Sequence, residues 1–140
     1  MFRLARPIVV GSALVVVGLA AIDGGSVLLT TLATPDDLEE AGFKAAAVVS
    51  RSNDPVPTTT TAVAALEAAR AEADKHDITV REDDFTIYAD DTVELTGATT
   101  APTLLFKRVP FLQGLAEVVT TLTVEPRAMD SSRQRSGRNR

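Results

Sequence analysis

The sequence has no cysteine and no tryptophan, a single histidine and a single tyrosine, and only 4% aromatic residues among 140. Without cysteine there is no disulfide framework, no thiolate metal site and no thiol nucleophile. The lone histidine, His76, closes a helical pattern, where an imidazole meeting the helix dipole suits a structural cap better than a general base. No nucleophile elbow, Walker loop, dinucleotide-binding glycine pattern or HExxH motif is present. The carboxylates Glu82, Asp83, Asp84, Asp90 and Asp91 gather around one turn but match no EF-hand spacing, so they read as a solvated rim. The expectation is a protein without catalytic residues, cofactor, metal site or small-molecule substrate, and not an enzyme.

What is abundant is apolar sequence near the start. From Ile8 to Ala33 the only charge is Asp23, and about 20 apolar residues are enough for a helix to cross a hydrocarbon core. A cleaved signal peptide is the competing reading, but its apolar core is shorter and ends at a small-residue site, whereas here Ala20-Ala21 runs into further apolar sequence. A retained anchor over residues 8–33 is therefore expected. Arg3 and Arg6 precede it, and Asp36, Asp37, Glu39 and Glu40 follow it. The positive-inside rule then puts residues 1–7 in the cytoplasm and the C-terminal part on the far side of the cell membrane. With that orientation nucleic acid is not a partner; membrane lipid and other transmembrane helices are.

The anchor has two faces. Gly11, Gly18 and Gly25 recur every seven residues and, with Ala21, form a small-residue seam where another helix could approach closely. Chance spacing of common residues is the alternative. About 140 degrees away, at 100 degrees per residue, lies a polar stripe of Ser12, Asp23, Ser26, Thr30 and Thr34. An intramembrane carboxylate is costly and normally paired. Asp23 is thus expected either to meet a partner helix or to sit protonated and hydrogen-bonded, unless the span ends near Ile22 and places it among headgroups.

Beyond the anchor, Thr34 as N-cap, Pro35 at the first helical position and Asp36-Asp37 in the first turn predict a new helix to about Val49, with Leu38, Ala41, Ala45 and Val48 on one face. After a loop at 50–57, caps within Thr58–Thr61 and the stripe Ala62, Ala65, Leu66, Ala69 and Ala73 predict a further helix ending near His76. The period then becomes alternating: Ile78 and Val80, Phe85 and Ile87, Val93 and Leu95, with Asp90-Asp91 as a hairpin turn, and finally Val118, Thr120, Leu122 and Val124. The fold expected for 34–126 is α+β, amphipathic helices followed by a small antiparallel sheet of three to four strands, an arrangement that the resemblance given below makes pilin-like.

Before the last strand lies Ala101-Pro102-Thr103-Leu104-Leu105-Phe106-Lys107-Arg108-Val109-Pro110-Phe111-Leu112. Two prolines bar it from a sheet interior, yet it holds more large apolar groups than a connector needs. Either Leu104, Leu105, Phe106 and Phe111 cover the sheet or the Ala-rich helix, or Leu105, Phe106, Lys107, Arg108 and Phe111 contact a partner or a membrane surface. The tail, 127–140, carries Arg127, Arg133, Arg135, Arg138 and Arg140 with Ala128 and Met129 as its few apolar residues and is expected to be disordered.

These segments resemble the actinobacterial membrane proteins of the TadE/TadG-like type, relatives of the Flp pilus pseudopilins. Gly18-Leu19-Ala20-Ala21-Ile22-Asp23-Gly24-Gly25 is similar to that family's apolar-then-acidic step late in the anchor. The Ala-rich helices and Ala101-Pro102-Thr103-Leu104-Leu105 carry the rest of the likeness. The resemblance implies a single-pass protein with a small outer α+β domain that serves assembly of a pilus or secretion structure. In one respect the sequence departs from the pattern: five residues after Gly11 stands Val16, not the glutamate that accompanies prepilin processing.

Overall fold

The structure, a computed structural model, describes residues 5–52 and 54–126. The tail expected at 127–140 and the first residues of the 1–7 segment lie outside them.

The first element, α1, is a single helix from Ala5 to Ser52. It joins what the sequence signals divide. Thr34 does not cap a new helix but is buried inside α1, and Pro35 lies within the helix. The reason is that Thr34 and Pro35 mark a start only where no helix precedes them. Here the preceding residues are already helical, so the chain omits the one hydrogen bond that the proline nitrogen cannot donate. Two turns hold the approach: the Thr30 and Thr31 hydroxyls donate to the Ser26 and Val27 carbonyls at 2.9 and 2.8 Å.

The chain divides into two compact units, one formed by α1 as far as Leu32 with Thr100–Val118, the other by Ala33–Thr99 with the residues from Val119 on. In the second unit, Leu38, Ala41, Ala45, Ala46 and Val49 form the buried stripe of α1. Against this core packs α2, Thr59–Ala73, through Ala65, Ala69 and Ala73. Thr58 is its N-cap, its hydroxyl oxygen accepting the Thr61 N–H at 3.3 Å. A 3-10 turn, Asp74–His76, follows, and Asp77 leaves it in the left-handed conformation at φ 56°.

Four antiparallel strands complete the fold: β1 (Thr79–Val80), β2 (Thr86–Ile87), β3 (Val93–Thr100) and β4 (Glu117–Val124). The central strand is β3. Both β1 and β2 pair with it, Thr79 opposite Ala98 and Thr86 opposite Glu94, and β4 pairs with it too. The Asp90-Asp91 turn is present: the Tyr88 N–H donates to the Thr92 carbonyl at 2.8 Å, the Asp90 carboxylate accepts the Thr92 N–H, and Asp91 has φ 64°. Along β4 the alternation holds, with Val118 and Val124 buried and the odd positions between them exposed.

Helix and sheet touch where two glycines permit it. A β-carbon on Gly97 would stand 2.7 Å from both Leu38 Cδ1 and Ile78 Cγ2, and one on Gly42 would stand 2.5 Å from Val124 Cγ2. Gly97→Val should therefore overpack the core, costing about 1–3 kcal/mol. Thermal unfolding in detergent should show a lowered midpoint for Gly97→Val and an unchanged one for Gly114→Ala, whose added methyl meets open space. Equal midpoints for both would contradict this packing.

Candidate functional site

The apolar helix and the proline-bounded loop form a unit of their own. The loop is closed at its neck, where the Ala101 N–H donates to the Ala116 carbonyl at 2.7 Å and both alanines are buried. Inside it, the Arg108 and Val109 N–H groups turn back to the Leu105 carbonyl at 3.0 and 3.2 Å. Pro110, with its fixed φ, opens a 3-10 helix over Pro110–Leu115. Tightening the backbone at Leu105 leaves the N–H groups of three successive residues, Leu104, Leu105 and Phe106, without a partner inside the loop. Successive N–H groups of this kind make an anion-binding concavity.

The anion is Asp23. Its Oδ1 accepts the Leu104 N–H at 2.7 Å, and its Oδ2 accepts the Leu105 and Phe106 N–H groups at 2.6 and 2.8 Å. The residue is fully buried. Burying a carboxylate without partners is expensive, whereas hydrogen bonds to a charged acceptor contribute about 1.5–3 kcal/mol each. One carboxylate and three donors thus satisfy one another, and neither set has another use in this unit.

Thr103 shows what this arrangement displaces. Standing immediately before the turn, it has the place of a cap whose hydroxyl would accept from Leu105 or Phe106. Asp23 takes both donors, and the buried Thr103 hydroxyl has no hydrogen-bond partner. An orphaned buried hydroxyl costs about 1–3 kcal/mol, less than the gain from a charged acceptor of three bonds.

The sequence-derived site residues fall into separate places. Of the polar stripe, Asp23 is buried and Ser26 and Thr30 are half-buried, with the Thr30 hydroxyl turned to the Ser26 carbonyl. Gly18, Ala21 and Gly25 are exposed, and a β-carbon on Gly18 or Gly25 would meet nothing within 4 Å. The surroundings of Gly11 lie outside the described residues. In the loop, Lys107 and Arg108 are exposed, Leu105 and Phe106 half-buried, and Phe111 is 84% exposed. Leu104 is exposed as well. Asp23 and the loop, singled out separately in the sequence, are thus brought together, while Gly18 and Gly25 of the glycine seam face open space among the described residues.

The titratable groups elsewhere serve local structure. Glu40, Glu72 and His76 lie close enough to share an ion, but the Lys75 ammonium already donates to Glu72 at 2.8 Å. That hydrogen bond outweighs burial and holds the Glu72 carboxyl below its usual range. His76 Nδ1 stands 3.3 Å from Asp37 Oδ1, tying the end of α2 to α1. On the acidic rim Glu82 pairs with Arg70 at 2.9 Å, and bonds from Thr92 hold the Asp90 carboxyl below its usual range.

The contact between Asp23 and the loop can be read by amide exchange in the full-length protein. The Leu104, Leu105 and Phe106 amides should be protected, and Asp23→Ala should speed their exchange by about 10²-fold while leaving Val93 and Leu95 unchanged. Unaltered exchange at all three amides would show that Asp23 does not hold the loop.

No family model, curated protein or solved structure matches this chain.

Proposed function

We propose that this protein is a non-catalytic, single-pass component of the cell envelope, with its N-terminus in the cytoplasm and residues 34–126 on the far side of the membrane. The observation that carries this reading is α1 itself. Its first part is long and apolar enough to cross a membrane and turns large side chains such as Leu14, Val17 and Leu29 outward, each more than 60% exposed. Water does not reward such a surface; lipid does. The same helix, without a break, then supplies the Leu38–Val49 stripe of the α+β core. Arg3 and Arg6 before the span and four carboxylates after it support the orientation.

In its finer form the proposal is a TadE-like part of a pilus or secretion-type assembly. A long helix shared between the apolar segment and the domain supports it. The open glycine face favours a second form, an accessory subunit of a larger membrane complex docked along Gly18, Ala21 and Gly25. Small residues with free space beside them let a neighbouring helix backbone come close.

Alkaline carbonate extraction of native membranes, combined with labelling, tests the proposal. The full chain should stay in the membrane pellet, and a chain lacking residues 1–33 should not. In a protein with no cysteine, Asp83→Cys should react with a membrane-impermeant maleimide on intact cells. Release of the full chain by carbonate, or labelling only after permeabilisation, contradicts it. Mild-detergent extracts separate the two forms: Gly18→Leu should release the protein from a complex docked on the seam and leave an assembly held by the outer domain intact.

A further inference from the structure

The three bonds to Asp23 fix the depth of the loop along α1. Leu28 and Leu29 lie five and six residues beyond Asp23, ~8–9 Å farther along the helix axis, and are 60% and 69% exposed. If lipid covers those leucines, as the anchoring proposed above requires, Asp23 is below the membrane surface, and so is the backbone within 3 Å of it.

The loop is built for that place. Leu104, Phe111 and Leu115 are exposed at 58%, 84% and 55%. Irregular backbone is tolerated at membrane depth only where it is shielded by protein or faces water, so the loop's backbone side must lie against α1 and its placement must be shallow; Asp23 receives three of its N–H groups and the carbonyls at Leu105, Val109 and Gln113 accept others. Lys107 and Arg108 limit how deep it goes, since long basic side chains reach from the upper acyl region to headgroup phosphates but not from the bilayer centre.

We propose that the Ala101–Ala116 loop is a second membrane-inserted element, a re-entrant segment that lies beside α1 in the leaflet nearest the C-terminal domain. Phe111 and Leu115 contact acyl chains, Lys107 and Arg108 contact lipid phosphates, and Asp23 is the buckle. The carboxylate and the loop each make the other tolerable in lipid: the donors stabilise the Asp23 carboxylate, and Asp23 satisfies the turn. The protein therefore grips one leaflet at two points rather than being tethered by a single helix.

The chain contains no tryptophan, so Phe111→Trp places a unique fluorophore at an exposed position of the full-length protein. It is reconstituted in vesicles of equal parts phosphatidylcholine and phosphatidylglycerol, with and without brominated acyl chains. Emission should be blue-shifted and quenched about twofold or more by the brominated lipid. Adding Asp23→Ala should move the emission to the red and abolish the quenching, with the protein still floating with the vesicles. Three results overturn the proposal: water-like emission quenched by acrylamide in floating vesicles, emission unmoved by Asp23→Ala, or shielding seen in native membranes but not in vesicles, which would mean that a protein covers the loop. A protein that does not float with the vesicles overturns the anchoring itself, so the two failures are told apart.

Discussion

A buried carboxylate on an apolar helix has to be answered by something, and in this chain the answer is three backbone N–H groups more than 80 residues away. The bonds satisfy a charge that an apolar setting would not tolerate alone. They also fix the conformation of a loop whose large apolar side chains would otherwise have no reason to stay outward. The orphaned Thr103 hydroxyl shows the hierarchy: a neutral local cap gives way to a charged acceptor of three bonds. Because the donors are backbone groups held by the Leu105 turn, the geometry is preorganised and does not depend on one partner side chain.

The second unit follows a different logic, close packing of small residues. Alanine stripes on α1 and α2 and the bare backbones at Gly42 and Gly97 let helices and sheet approach with few large side chains. Here carboxylates are held by local hydrogen bonds, from Lys75 to Glu72 and from Thr92 to Asp90, that lower their pKa values. A carboxyl held low in the folded state stabilises the fold above its unfolded pKa, and that contribution fades as pH falls through the folded value. Resistance of this unit to acid thus depends on groups apart from Asp23.

Much of this was legible in the sequence. The burial of Leu38, Ala41 and Ala45, the Ala65–Ala69–Ala73 stripe and the alternation from Val118 to Val124 all come from spacing within one element, which a linear pattern records directly. The helix start signalled at Thr34-Pro35 is overridden for the same reason: cap and proline signals are local, and nothing in them says whether a helix already runs through the site. The need for a partner at Asp23 could be read, as could the oddity of residues 101–112. Their union could not. The partner groups are backbone N–H groups, which carry no residue identity, and no periodicity spans the 81 positions that separate Asp23 from Leu104.

On the proposed reading the protein acts through what its apolar helix touches. Gly18 and Gly25 of α1 face open space and the loop is fastened at Asp23, so in that setting contacts with helices and with lipid need not compete. The most direct measurement of the central claim is a solid-state NMR carbon–nitrogen distance in the full-length protein in lipid, from the Asp23 carboxyl carbon to the backbone nitrogens of Leu104, Leu105 and Phe106. All three should fall within about 4 Å, the separation set by direct N–H to carboxylate bonds. Absence of coupling to all three nitrogens, with Asp23 correlated instead to a neighbouring chain, would contradict it.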